Sequence, residues 1–156
     1  MNVFIKANKI HMLLLALLAL GLLSACSGTS PEANTPEEPL GPPDRIDVVY
    51  FYDSKACLCY AVVGADIQST LFLHFGGELT SGKLTLQCID LNSDNNTAIA
   101  NKYGATGTPL SLFINIVRGE TEEIIAVPEI WLVKDDNRAL DRLVSNRVSE
   151  YLAEQE

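Results

Sequence analysis

Basic side chains are scarce in most of this 156-residue chain. It contains 11 Lys and Arg against 20 Asp and Glu, and all the acidic residues follow Cys26, whereas Lys6 and Lys9 precede it. Residues 26–156 therefore carry nine basic against 20 acidic side chains, a net charge of −11. Binding to nucleic acid or to anionic lipid depends on Lys and Arg that neutralise phosphate. The charge balance argues against a nucleic-acid partner and indicates an acidic extracytoplasmic protein.

Histidine is also scarce, with two in the chain. His11 lies in the N-terminal apolar segment, which leaves His74 to accompany the closely spaced Cys57 and Cys59. Two thiolates at that spacing do not complete a tetrahedral zinc site. The sequence also contains no glycine-rich phosphate loop and no Ser/His/Asp set in a motif context. We therefore expect no cofactor and no resident metal.

The apolar run over residues 12–23 is too short for an ordinary transmembrane helix but has the length of a signal-peptide core. Lys6 and Lys9 form a positive region before it, and Leu23-Ser24-Ala25-Cys26 ends it. This ending resembles the lipobox of bacterial lipoproteins, in which the Cys is acylated and becomes the new N-terminus. The resemblance implies a signal peptide over residues 1–25 and lipidation of Cys26. Ser27 implies the periplasm-facing side of the outer membrane if the host has two membranes.

Residues 26–44 read as a tether, because from Ser27 onward they are rich in Pro and Glu and nearly free of apolar side chains. Such a segment cannot bury enough surface to offset the entropy lost on ordering. Proline favours an extended backbone that rises about 3.1 Å per residue, so we expect a semi-stiff spacer of ~40–55 Å. The folded domain is then residues 45–156.

Strand and helix patterns alternate through this domain. Four β-branched or apolar runs predict strands, at residues 46–52, 83–91, 110–117 and 122–127. Helical spacing predicts a helix from about Cys59 to Phe75, closed by Gly76-Gly77, and a short helix closed by Gly104. A longer helical stretch begins at Glu129 and breaks near Asp135-Asp136. The order βαβαββα predicts an α/β domain with parallel pairing first and an antiparallel hairpin after it.

The segment CIDLNSDNNTAIANKYGATGTPLSLF, residues 88–113, resembles the middle of a thioredoxin. The resemblance implies a thioredoxin-like three-layer sandwich with a mixed four-stranded sheet, here with an extended C-terminal helix. In that family the proline of Gly107-Thr108-Pro109 follows a cis peptide bond and lies against the active-site thiols. It therefore implies a cis Pro109 beside the cysteine pair. The extension that contains Glu129-Ile130-Trp131 is similar to a thioredoxin-like group, the ArsF-type nitrophenyl-reductase subunits.

Cys57 and Cys59 come between the first strand and the first helix. A thioredoxin has Cys-x-x-Cys, and alignment from Phe51 onward puts Ala56 at the position of its nucleophile. Tyr50 replaces the family's buried Asp, and Lys55 its Trp. Residues i and i+2 of a helix point apart, so a disulfide requires Cys57 to precede the first turn. A strained pair of this kind is easy to reduce and favours an oxidant or isomerase.

The start of a helix lowers the pKa of a thiol, and Lys55 adds a positive charge. We therefore predict Cys57 as the nucleophile and Cys59 as the resolving thiol, with Pro109 as the third catalytic-site residue. Cys88, in the middle of a predicted strand, is expected to be a buried structural side chain.

These features predict a monomeric, membrane-anchored, extracytoplasmic thiol–disulfide exchange protein whose partners are protein thiols or disulfides of the cell envelope. Three alternatives remain at this point. The pair can carry a soft metal such as copper(I). It can be a permanent structural disulfide. The domain can also be a non-catalytic interaction subunit, because a fold alone does not define a function.

Overall fold

The computed structural model describes residues 41–153. The predicted signal peptide, Cys26 and the tether up to residue 40 lie outside this part. The elements in chain order are β1 (Arg45–Tyr52), α1 (Cys59–Ser81), β2 (Leu84–Asp90), a 3₁₀ helix (Asp94–Asn96), α2 (Thr97–Tyr103), β3 (Leu110–Arg118), β4 (Thr121–Ala126), α3 (Ile130–Val133) and α4 (Asn137–Leu152). Among the helices of this part, none is long and apolar enough to cross a membrane.

The four strands form one mixed sheet in the order β2-β1-β3-β4. β1 pairs with β2 in parallel, with Ile46 opposite Leu84 and Tyr52 opposite Asp90. It pairs with β3 in antiparallel orientation, and β3 pairs with β4 in the same way. Helices α1 and α4 cover one face of the sheet and α2 covers the other. The fold is thus a thioredoxin-like sandwich, and the predicted order of strands and helices is confirmed.

Strand β1 holds the centre of the sheet because it supplies apolar side chains to both faces. Val48 and Tyr50 pack into the core beneath α1 and α4, whereas Val49 and Phe51 pack into the core beneath α2. Every residue from Ile46 to Phe51 is buried. The prediction of a first strand buried on both faces is therefore confirmed. The cysteine loop begins where this strand ends, after Tyr52.

The sequence predicted that the first helix ends at Phe75, before Gly76-Gly77. The regular helix is indeed interrupted at Phe75, but helical turns resume across the glycine pair, so the prediction that the helix ends there is wrong. The helix bends at Phe75, where φ is −134° and ψ is 33°, and continues to Ser81. Glycine within a helix costs only about 1 kcal/mol relative to alanine, and Leu79 on the last turn packs against the core. The helix ends at Gly82, whose φ of 77° lets its N–H reach the carbonyl of Leu79.

The C-terminal helical stretch breaks where the sequence predicted. The carboxylate of Asp136 accepts hydrogen bonds from the N–H groups of Arg138 and Ala139, both at 3.0 Å, and so caps α4. An ion pair of 2.7 Å between Arg147 and Glu129 ties α4 to the residue before α3. The ion pair holds α3 against α4, and the ring of Trp131 on α3 lies 6.3 Å from that of Tyr60 at the start of α1, near the cysteine pair.

Candidate functional site

Cys57 and Cys59 are joined by a disulfide, with their Cα atoms 5.1 Å apart. Helix α1 begins at Cys59, so Cys57 lies in the loop before the first turn. This is the position that the i, i+2 spacing requires for a disulfide. Cys57 is half-buried, whereas Cys59 and the intervening Leu58 are exposed. The pair is therefore open to a second molecule.

One backbone donor distinguishes the two sulfurs. The N–H of Cys59 points at Sγ of Cys57, with a nitrogen–sulfur distance of 3.1 Å. A donor at this position, together with the positive end of the helix dipole, favours the thiolate over the thiol. The geometry therefore favours Cys57 as the sulfur that ionises when the disulfide is reduced.

The loop before Cys57 is held by the carboxylate of Asp53. Its Oδ1 accepts hydrogen bonds from the backbone N–H groups of Lys55 at 2.9 Å and Ala56 at 3.0 Å. The side-chain amide of Asn92 donates to the same oxygen at 2.6 Å. This amide is the main cause of the lowered pKa of Asp53, and the two backbone donors add to it. The ionised carboxylate thus shapes the turn that presents the cysteines.

A second carboxylate, Asp90 at the end of β2, anchors the same loop. It accepts hydrogen bonds from the hydroxyl of Ser54 at 2.6 Å and from the N–H of Asn92 at 3.0 Å. The Ser54 hydroxyl is the main cause of the lowering of the Asp90 pKa to about 2. Sequence reasoning missed this network. The sequence feature that could have predicted it is the polar residues that follow β1 and β2, because the carboxyl ends of neighbouring parallel strands meet at one edge of the sheet.

The low pKa of Asp90 makes the network resistant to acid. Because the folded-state pKa lies below the unfolded value of about 3.9, ionised Asp90 stabilises the fold above that pH. The contribution is lost as the pH falls from about 4 to about 2. We expect the amide proton of Asn92, followed by NMR, to titrate with a midpoint near pH 2. An Asp90→Asn variant should lack this transition, and a midpoint near 4 in the parent chain would contradict the assignment.

Pro109 lies beside the loop, but the prediction of a cis peptide bond before it is wrong. No peptide bond in residues 41–153 is cis, so Thr108–Pro109 is trans. Pro109 immediately precedes β3, a position where a trans proline without an N–H is well tolerated. Its carbonyl accepts a hydrogen bond of 2.7 Å from the N–H of Asp53. An open pocket of about 500 Å³ separates this turn from α2, lined by Asp53, Leu91, Thr97, Ala100, Gly107 and Pro109.

Tyr50 occupies the position at which thioredoxins have a buried Asp. Its side chain is fully buried, and its hydroxyl donates a 2.8 Å hydrogen bond to the carbonyl of Tyr60 in the first turn of α1. Burial raises the pKa of Tyr50 far above its ordinary value. The residue therefore supports the helix and is not suited to accept a proton from a cysteine.

The sequence matches no protein-family model and no curated protein. Within residues 41–153, no three His, Cys, Asp or Glu side chains form a group able to hold a metal ion. The arrangement of the cysteine pair on its fold is therefore the basis for assigning a function.

Cys88 is exposed, and the expectation of a buried side chain is wrong. It lies on β2, which is an edge strand, so α1 covers it on one side only. Its sulfur is 4.0 Å from the carbonyl oxygen of Gly64, and this partial burial raises the pKa of the thiol. Cys88 is thus a neutral and accessible third thiol, so experiments on the cysteine pair need a chain in which Cys88 has been replaced.

Proposed function

We propose that this protein exchanges disulfides with envelope proteins through Cys57 and Cys59 while a lipid on Cys26 holds it at the extracytoplasmic face of a membrane. The observation that carries the redox part is the position of the pair at the start of α1. There an exposed disulfide has a backbone donor aimed at one of its sulfurs. A purely structural disulfide has no need of that placement.

The exchange has two steps. The Cys57 thiolate attacks one sulfur of a partner disulfide, which forms a mixed disulfide and releases the other partner sulfur as a thiolate. The Cys59 thiolate then attacks Sγ of Cys57, which re-forms the Cys57–Cys59 disulfide and releases the second partner thiolate. Two electrons pass from the pair to the partner, and the reverse sequence oxidises a partner dithiol. No metal or cofactor takes part.

The surface around the pair favours a polypeptide partner. Leu58 between the two cysteines is 76% exposed, Val62 one turn later is 60% exposed, and Leu132 on α3 is 85% exposed. Trp131 brings α3 to the start of α1, because its ring lies 6.3 Å from that of Tyr60. Exposed apolar side chains near a reactive centre suit an apolar stretch of another protein.

The anchoring and the grouping of the protein complete the proposal. The lipobox-like Leu23-Ser24-Ala25-Cys26 supports acylation of Cys26, and the Pro-rich tether provides reach from the membrane. The Glu129-Ile130-Trp131 extension supports a place among the ArsF-type nitrophenyl-reductase subunits. In that setting the domain serves as a redox subunit of a larger envelope complex.

A redox titration of the Cys88→Ser chain tests the proposed exchange. The protein is equilibrated in glutathione buffers of graded potential, and its free thiols are then counted by mass after alkylation. We expect Cys57 and Cys59 to convert together between disulfide and dithiol, with a midpoint above the value of about −270 mV known for thioredoxin, because a stabilised thiolate favours the reduced form. A pair that stays fully oxidised or fully reduced across the range would refute the proposal.

The alternatives give distinct results in parallel measurements. A copper or zinc carrier would retain stoichiometric metal after anaerobic purification, and the Cys57→Ser/Cys59→Ser double variant would lose it. A non-catalytic subunit would keep its cellular role in that double variant. Either result, combined with a pair that does not titrate, would replace the redox assignment.

A further inference from the structure

Strand β2 is an edge of the sheet whose outer side has no strand partner within residues 41–153. The N–H of Ile46 bonds to the carbonyl of Lys83, and the N–H of Leu91 bonds to that of Tyr52. In a parallel ladder this alternation turns the backbone N–H and C=O groups of Leu84, Leu86 and Cys88 away from β1. These groups form a row that a further strand can bond.

The surface beside this edge is apolar and nearly uncharged, although the chain as a whole is strongly acidic. A groove of about 390 Å³ runs between α1 and β2, lined by Gln68, Leu71, Phe72, Leu79, Leu84 and Leu86. Phe72 on its rim is 62% exposed. No charged residue occurs from Leu84 to Ile89, although Lys83 and Asp90 flank this run. Helix α1 contains two acidic residues, Asp66 and Glu78, and no Lys or Arg.

A partner that covers both the β2 edge and the groove must supply a strand and, next to it, the apolar side of a helix. The chain's own tether is the weaker candidate. Residues 41–44, the part of it that the structure describes, lie against the β3–β4 turn, because the N–H of Gly119 donates to the carboxylate of Asp44 and the guanidinium of Arg118 to the carbonyl of Gly41. The prolines of the tether also lack the N–H groups that a strand needs. A second copy of this chain has both features, since its β2 and α1 stand side by side.

We propose that β2 is a dimerisation edge, at which two copies pair in antiparallel orientation about a twofold axis at Leu86. With Leu86 opposite Leu86, the outward groups of Leu84 meet those of Cys88 of the second copy, and six backbone hydrogen bonds form between uncharged residues. The axis is perpendicular to the sheet, so both α1 helices lie on the same face and their Phe72 flanks meet. The result is a continuous eight-stranded sheet instead of the monomer expected from the sequence.

Cross-linking tests the pairing and its register. Leu86→Cys is introduced into the full-length chain that also carries Cys57→Ser, Cys59→Ser and Cys88→Ser, and membranes are treated with a mild oxidant. Opposite residues of such a pair have Cα atoms about 5.5 Å apart, within disulfide range, so we expect most of the chain to appear at twice its mass. The variant that keeps Cys88 and lacks Leu86→Cys should form little dimer. Cross-linking through Cys88 alone would overturn this register, and cross-linking to a different protein would overturn the choice of occupant.

A pair of charge variants tests the interface in solution. Phe72→Asp places two carboxylates in the proposed contact, so we expect the dimer dissociation constant measured by sedimentation in detergent to rise at least ~10-fold. Leu132→Asp, which changes an exposed apolar side chain on α3, should leave it unchanged. Circular dichroism verifies that both variants fold. A parent chain that stays monomeric at every concentration, or equal effects of the two variants, would refute the proposal.

Discussion

A Cys59→Ser variant should accumulate partner proteins as mixed disulfides, whereas a Cys57→Ser variant should accumulate almost none. The first variant keeps the thiolate that attacks and lacks the thiol that resolves the intermediate. The second lacks the attacking thiolate. The two cysteines are separated only by Leu58, yet we expect them to trap very different amounts of partner protein.

The asymmetry rests on the hydrogen bond from the N–H of Cys59 to Sγ of Cys57. Because the donor is a backbone group, it survives the Cys59→Ser change. Each unit by which a thiol pKa falls gives about tenfold more thiolate at pH 7, if the pKa stays above that pH. Cys59 is the more exposed residue, so accessibility alone would predict the reverse order. The result therefore shows whether stabilisation of the thiolate or exposure of the sulfur decides which cysteine attacks the partner.

Both variants are made in a Cys88→Ser background, because Cys88 is exposed and can form mixed disulfides of its own. Proteins are trapped with acid and alkylating reagent in cells, and the peptide that carries the partner is identified by mass spectrometry. We expect at least ~10-fold more partner on Cys57 of the Cys59→Ser chain than on Cys59 of the Cys57→Ser chain. Equal trapping, or a preference for Cys59, would reverse the assigned roles.

The sheet and the position of the cysteine pair could be read from the sequence because each depends on local pattern. Two local patterns, the β-branched run in β1 and the helical spacing after Cys59, place the thiols between a strand and a helix. This placement does not depend on the rest of the fold. The break at Asp136 was visible for a similar reason, since Asp is a favoured capping residue at the start of a helix. The i, i+2 spacing likewise required Cys57 to precede the helix if a disulfide was to form.

The errors concern features that depend on neighbours distant in sequence. Cys88 is exposed because β2 is an edge strand, and a single strand pattern does not reveal which strands are edges. The Asp53–Asn92 contact joins two loops whose proximity follows from the register of β1 and β2. Helix α1 passes Gly76-Gly77 because Leu79 gains core contacts that outweigh a modest helix propensity.

A Tyr50→Ala substitution should lower the free energy of unfolding by about 3–5 kcal/mol, the range for removal of a large buried aromatic side chain. Tyr50 is fully buried at the centre of the sheet, under the first turns of α1. A Cβ added to Gly64 would lie 3.2 Å from its ring, which shows how closely the helix approaches it. Urea denaturation of the oxidised protein measures the loss. Tyr52→Ala, on the same strand but half-buried, is the matched control and should cost clearly less.

Tyr50→Phe separates the support of the helix from any role in proton transfer. It removes only the hydrogen bond to the carbonyl of Tyr60, so we expect a loss of about 1 kcal/mol in stability. The pH profile of disulfide exchange should not change, because burial keeps the hydroxyl protonated across the working range. A shifted profile in Tyr50→Phe would instead show that the hydroxyl takes part in exchange. An unchanged profile would mean that Tyr50 acts only by supporting helix α1, although thioredoxins place a buried carboxylate at this position. Activation of Cys57 would then rest on stabilisation of its thiolate by the backbone N–H of Cys59 and the start of α1.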